Sequence, residues 1–156
     1  MATLNVTHTE SITLNGQEFG GTNTFSITGI NNIYKRIVTC PANVDTTILR
    51  TGVTVDVTDS SMDVQNVKYI RVTNLDSSNS LTLSLQAEVG EDDSGADVSA
   101  SILLEAGKSF MMGSGHDGIG VSDANANIVT DLVDLDSLVV QPGSNAISVE
   151  VFVASV

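Results

Sequence analysis

Tryptophan is absent from this 156-residue chain, proline occurs twice and cysteine once. A lone Cys40 precludes an intramolecular disulfide, and with it the disulfide-stapled secreted scaffold. Basic residues are scarce as well. Six Lys and Arg face nineteen Asp and Glu, a formal net charge of -13. Such a surface repels phosphate, so nucleic acid is not an expected partner. Apolar runs stop at four residues or fewer, as in Ile102-Leu103-Leu104, so neither a bilayer-spanning helix nor a membrane partner is expected. The stretch from Met1 to His8 lacks the basic and apolar segments of a signal peptide, which makes a cytoplasm the expected place of synthesis.

Against these shortages stands a large supply of strand formers. Hydrophobic residues make up 41% of the chain, which argues against pervasive disorder despite the charge. Val 20, Ile 11 and Thr 16 make about three residues in ten β-branched, and these favour strand over helix. The length suits one domain, residues 1–156. Charge is uneven along it: residues 1–78 hold 7 acids and 5 bases, residues 79–156 hold 12 acids and 1 base. If the two halves separate in space, one face is near neutral and suited to docking, the other acidic and suited to solvent. The simpler reading is that the acids only keep a β-protein soluble.

Period-two alternation dominates. Val53, Val55 and Val57 alternate with polar residues, as do Leu81, Leu83 and Leu85, while Ile147, Val149, Val151 and Val153 alternate with Ser148, Glu150 and Phe152. Ile70 and Val72 point opposite to Tyr69, Arg71 and Thr73. Asn15-Gly16 marks a tight hairpin, and reversals follow at 75–79, 105–108 and 141–145. Strands are expected near 3–8, 10–15, 23–28, 33–40, 46–58, 66–75, 79–87, 98–104, 108–112, 137–141 and 146–154, with a short helical turn around 128–132. Many short strands at this spacing predict an all-β fold, an antiparallel, jelly-roll-like β-sandwich of eight to ten short strands with little or no helix.

Residues with site chemistry are few. Glu91, Asp92, Asp93 and Asp97 are the calcium candidates, though they miss the spacing of a calcium loop and read first as a solvated acidic excursion. Asp131, Asp134 and Asp136 form a second acidic cluster. His8, His116 and Cys40 are the whole supply of softer ligands, too few and too scattered for a zinc site. The glycine-rich run 113–120 has neither a phosphate-loop Lys-Ser/Thr nor a nucleophile elbow. No cofactor and no catalytic activity are expected. Tyr34 and Tyr69 are the two plausible sugar-stacking rings, and core packing or a subunit contact is the simpler use of both. The bases Lys35, Arg36, Arg50, Lys68 and Arg71 fall on strands or strand ends, the first two next to Tyr34 and the last two around Tyr69, which joins them as an interface candidate. Gathered on one side they would form an interface for an acidic partner; paired with the chain's own acids they need none.

The segment from Lys68 to Asp76, followed by Asn79 to Leu85, resembles a strand-turn-strand pattern of structural proteins of tailed bacteriophages, including marine ones. Leu104 to Phe110 and Ile147 to Ser155 continue the resemblance, which covers roughly residues 66–156. It implies a small β-sandwich virion subunit of the capsid decoration, or cement, type. That role carries a location on the capsid surface, the major capsid protein as partner, and self-association, with a homotrimer as the expected state. A tail, fibre or baseplate component is the alternative within the virion, and a carbohydrate-binding module the alternative outside it. The resemblance carries no functional residue, because its motifs are strands and turns.

Overall fold

The computed structural model describes residues 1–52, 62–87, 98–113, 120–121 and 133–156. The strands are β1 (Ala2–Glu10), β2 (Thr13–Leu14), β3 (Gln17–Glu18), β4 (Gly21–Ile30), β5 (Asn32–Cys40), β6 (Thr46–Gly52) and β7 (Met62–Asp63). After a 3-10 turn at Val64–Asn66 come β8 (Val67–Asn74), β9 (Leu81–Ala87), β10 (Val98–Leu104), β11 (Ser109–Gly113), β12 (Gly120–Val121), β13 (Val133–Pro142) and β14 (Ile147–Ser155). The chain is all-β, and the described strands of five residues or more fall within the expected number.

From β5 onward the strands build two packed sheets. One runs β11-β8-β14-β5; the other runs β10-β9-β13-β6, with β7 added beside β6 and β12 beside β13. Every pair except β6–β7 is antiparallel. The chain crosses between the sheets at each step except β6–β7, the β9–β10 hairpin and β12–β13, which is jelly-roll-like connectivity. The alternating sequences explain the packing. Ile147, Val149, Val151 and Val153 of β14 face Leu81, Leu83, Leu138 and Val140 of the opposite sheet, and all are buried in one core with Ile70, Val72 and Cys40.

This topology corrects the expectation that charge follows the chain halves. Early strands β5 and β8 lie in the same sheet as late strands β11 and β14, and early β6 pairs with late β13. Within the sandwich the halves interleave, so neither sheet belongs to one of them. Strand β13 also begins at Val133, earlier than the expected 137. Its pairing with β9 shifts register between Leu135 and Ser137, a bulge that breaks the alternation at Asp136. The buried Thr51 hydroxyl donates to the carbonyls of both Leu135 and Asp136, satisfying backbone groups at the irregularity. The expected alternation at Val53, Val55 and Val57 and the helical turn at 128–132 lie outside the described residues.

Ahead of the sandwich is a two-stranded arm. Strands β1 and β4 pair from Ala2–Ile30 to Glu10–Gly21, and β2–β3 closes the far end. Asn15 and Gly16 both take positive φ, 52° and 79°, as a two-residue hairpin turn requires. One face of the arm is a polar ladder in which Thr7 meets Thr24, Thr9 meets Thr22 and Ser26 donates to Asn5. The other carries Leu4, Val6, Phe25 and Ile27 near the base, then His8, Asn23 and Glu10 farther out.

The candidate interaction site

The outer face of the β11-β8-β14-β5 sheet is where the arm and the scarce bases meet. Strand register sets its rows. Gly113, Tyr69, Ala154 and Ile33 lie side by side; Met111, Arg71, Phe152 and Lys35 form the next row; Ser109, Thr73, Glu150 and Ile37 the third. The arm's base covers the first row as far as Ala154 and leaves Ile33, at the sheet edge, exposed. Ile27, Ile30, Tyr69 and Ala154 are buried together, with Leu4, Val6, Phe152 and Val156 packed around them. Tyr69 meets Phe25 at 6.4 Å and Phe152 edge-on at 6.0 Å between ring centroids.

Beyond the covered row the arm and sheet part, leaving a cleft of about 410 Å³. Val6, Tyr69, Met111 and Phe152 give it apolar walls, and Lys35 and Arg71 supply its charge. Both cations reach Glu150 in the next row: Lys35 Nζ lies 3.3 Å from Oε2, and Arg71 Nη2 donates to Oε1. Partial burial pushes the Glu150 carboxyl up, but the hydrogen bonds and charges of Lys35 and Arg71 outweigh it and hold it below the usual range. The triad therefore keeps one positive charge in excess. Next to it, Ile33 and Ile37 stand 54% and 60% exposed, an uncovered apolar shelf beside Lys35.

The bases expected at an interface are thus only partly gathered. Lys35 and Arg71 share this cleft, paired with the chain's own Glu150 as the simpler reading had it. Arg36 lies on the same edge strand, exposed, with no ion pair among the described residues. Arg50 is on β6 in the other sheet, and Lys68 sits at the start of β8, where its Nζ donates to the Gln65 carbonyl. Tyr69 is 5% exposed and Tyr34 packs against the core, so neither ring is a free stacking platform. Among the described residues no three His, Cys, Asp or Glu gather as a metal site. His8 is exposed on the arm, Cys40 is buried in the core, and Asp134 and Asp136 lie on β13. Glu91, Asp92, Asp93, Asp97, His116 and Asp131 lie outside the described residues.

The element that sequence reasoning missed is the tip of the arm. Ile12, Leu14 and Phe19 are 56%, 56% and 60% exposed there. The tip is tied down by one carboxylate. Glu18 accepts from the Ile12 and Gly20 amides at 3.0 and 2.9 Å and from the Thr13 hydroxyl at 2.9 Å. Those three donors hold its pKa below the usual carboxylate range. The Phe19 amide adds a bond to the Ile12 carbonyl at 2.9 Å. The result is a rigid knob with an apolar surface. Its signal in the sequence was the Asn-Gly turn flanked by Leu14 on one side and Phe19 on the other. Compared with protein-family models, with curated proteins and with solved structures, the chain matches none.

Proposed function

We propose that the chain is a non-enzymatic structural subunit of a virion, a capsid decoration protein that binds across major capsid protein subunits and stabilises the head. The observation that carries this reading is the arm. Residues 2–30 form a paired ribbon that stands on the sandwich by its base and exposes Ile12, Leu14 and Phe19 at its end. Exposed apolar side chains on a braced projection suit a docking element, because little ordering is left to do on binding. A jelly roll is a recurrent capsid architecture, an argument by fold analogy only. The phage-like segments add to it, since they fall on β8–β9, the β10–β11 connection and β14.

Burying the remaining half of three such side chains is worth roughly 2–5 kcal/mol. Association costs about 4–15 kcal/mol in lost freedom, so the three apolar side chains alone hold weakly and need charged or repeated contacts beside them. Several copies engaging a lattice together overcome this by raising the effective concentration of each contact. Cryo-electron microscopy of the source particle tests the reading. Density for this chain in many copies over the head supports it. A few copies in the tail would replace it with the tail-component alternative, and absence from the particle would overturn the virion assignment.

A further inference from the structure

We propose that the arm tip of one copy seats on the outer sheet face of a second copy, at the Lys35–Arg71–Phe152 cleft and the Ile33–Ile37 shelf. The proposal rests on the reading of the chain as an assembling subunit and names the contact by which copies recognise each other.

Three observations bring the two surfaces together. Ile12, Leu14 and Phe19 remain exposed on their own chain, so its own sandwich does not take them. The cleft is apolar along Val6, Met111 and Phe152 and continuous, through Lys35, with exposed Ile33 and Ile37. Its size suits an aromatic side chain such as Phe19. Charge then selects the occupant. Residues 1–34 contain two acids, Glu10 and Glu18, and no Lys or Arg. On a chain of net charge -13 most surfaces repel such a tip. The sheet face with Lys35 and Arg71 against one Glu150 attracts it.

Lys35 and Arg36 have a plainer use, blunting the free edge of β5 against uncontrolled strand pairing. That use accounts for two charges on an edge strand. It leaves unexplained the uncovered Ile33 and Ile37 and the cleft beside them. The contact is head-to-tail, joining two different surfaces, so closed rings such as a trimer are open to it.

Light scattering after size-exclusion chromatography tests the contact on the full chain with two variants. The wild type is expected as an oligomer. Phe19→Asp, which spoils the tip, and Lys35→Glu, which spoils the receiver, are each expected as monomers with wild-type circular dichroism. Mixed in equal amounts they should form a two-copy complex, because each retains the surface the other has lost. A monomeric wild type at high concentration, single variants of wild-type mass, or a mixture that stays monomeric would each overturn the proposal. If the receiver variant fails to fold, Ile37→Asp on the exposed shelf replaces it in the same mixing experiment. Monomers that still coat the particle would sink this contact alone; oligomers that do not coat it would sink the decoration reading alone.

Discussion

Arg71 and Phe152 stand directly opposite each other on β8 and β14, and the guanidinium carbon lies 5.7 Å from the ring centroid. The same guanidinium donates to Glu150, two residues along β14 on the same face. Arg71 is thereby held by a ring and a carboxylate at once. Its Nε is buried without a hydrogen-bond partner among the described residues, and cation–π attraction offsets part of that loss. The ring in turn meets Tyr69, which meets Phe25 on the arm. One contact chain therefore runs from the arm's base to the charged cleft.

Glu150 is the anchor of that cleft. Replacing it with Gln is expected to cost about 1–3 kcal/mol of unfolding free energy at pH 7, because two charge-assisted bonds weaken and two cations lose their counter-charge. The pH dependence follows from its lowered pKa. A depressed carboxylate contributes fully above its ordinary value of 4.5 and loses that contribution as pH falls through the lower folded value. Urea titrations of both proteins should show a steady gap from pH 7 to about 5 that narrows in more acid solution. A gap independent of pH would refute the ionic role of Glu150.

Asn74 joins two turns from inside the sandwich. It is fully buried, and its side-chain amide donates to the carbonyls of Asn79 at 2.8 Å and Leu104 at 3.2 Å, while its oxygen accepts from the Asp76 amide at 2.9 Å. Asp76 then accepts from the Ser78 and Asn79 amides at 2.8 and 2.7 Å, which hold its pKa down. Asn74→Ala leaves the Leu104 carbonyl short of its buried partner. The expected loss is about 1–3 kcal/mol, read from chemical denaturation. A loss below a few tenths would mean that the turns hold without it.

Burial also governs the one thiol. Desolvation pushes the Cys40 pKa up, and a hydrogen bond involving Thr46 offsets only part of this. A buried, protonated thiol reacts when the fold opens. Ellman's reagent at pH 8 should therefore modify native protein on the order of 100-fold more slowly than urea-unfolded protein. Comparable rates would show that β5 opens freely at its Cys40 end.

The sandwich was legible because its strands alternate: Leu81 to Leu85 and Ile147 to Val153 each put one apolar face inward. The arm was legible as strands but not as an arm. Leu4, Val6, Phe25 and Ile27 alternate as any half-buried strand does, and only pairing shows that the apolar face ends where His8 and Asn23 begin. The start of β13 was hidden by the bulge at Asp136, which breaks the period-two alternation between Leu135 and Leu138. The cleft was hidden for a different reason. Lys35, Arg71 and Glu150 come from three strands far apart in sequence, and only jelly-roll pairing with β14 at the centre makes them neighbours.

Gly20 decides whether the arm ends in a knob or a loose loop. A Cβ there would lie 2.6 Å from Glu18 Oε1 and 2.8 Å from the Glu10 carbonyl carbon, with the Glu10 oxygen nearer still. The carboxylate could move aside; the backbone of Glu10 is held in the β1–β4 pairing and could not do so freely. Gly20→Ala is thus expected to push Glu18 off its three donors, leaving the Ile12 and Gly20 amides unbraced. Hydrogen exchange at residues 12, 19 and 20 should accelerate severalfold while β14 amides keep their protection, since the core does not touch the tip. The same variant should associate more weakly than wild type although Ile12, Leu14 and Phe19 are all retained, because a disordered tip must be ordered again on docking. Unchanged exchange at residue 12 would show that Glu18 does not brace the tip. Faster exchange with undiminished association would show that the tip does not need bracing to bind.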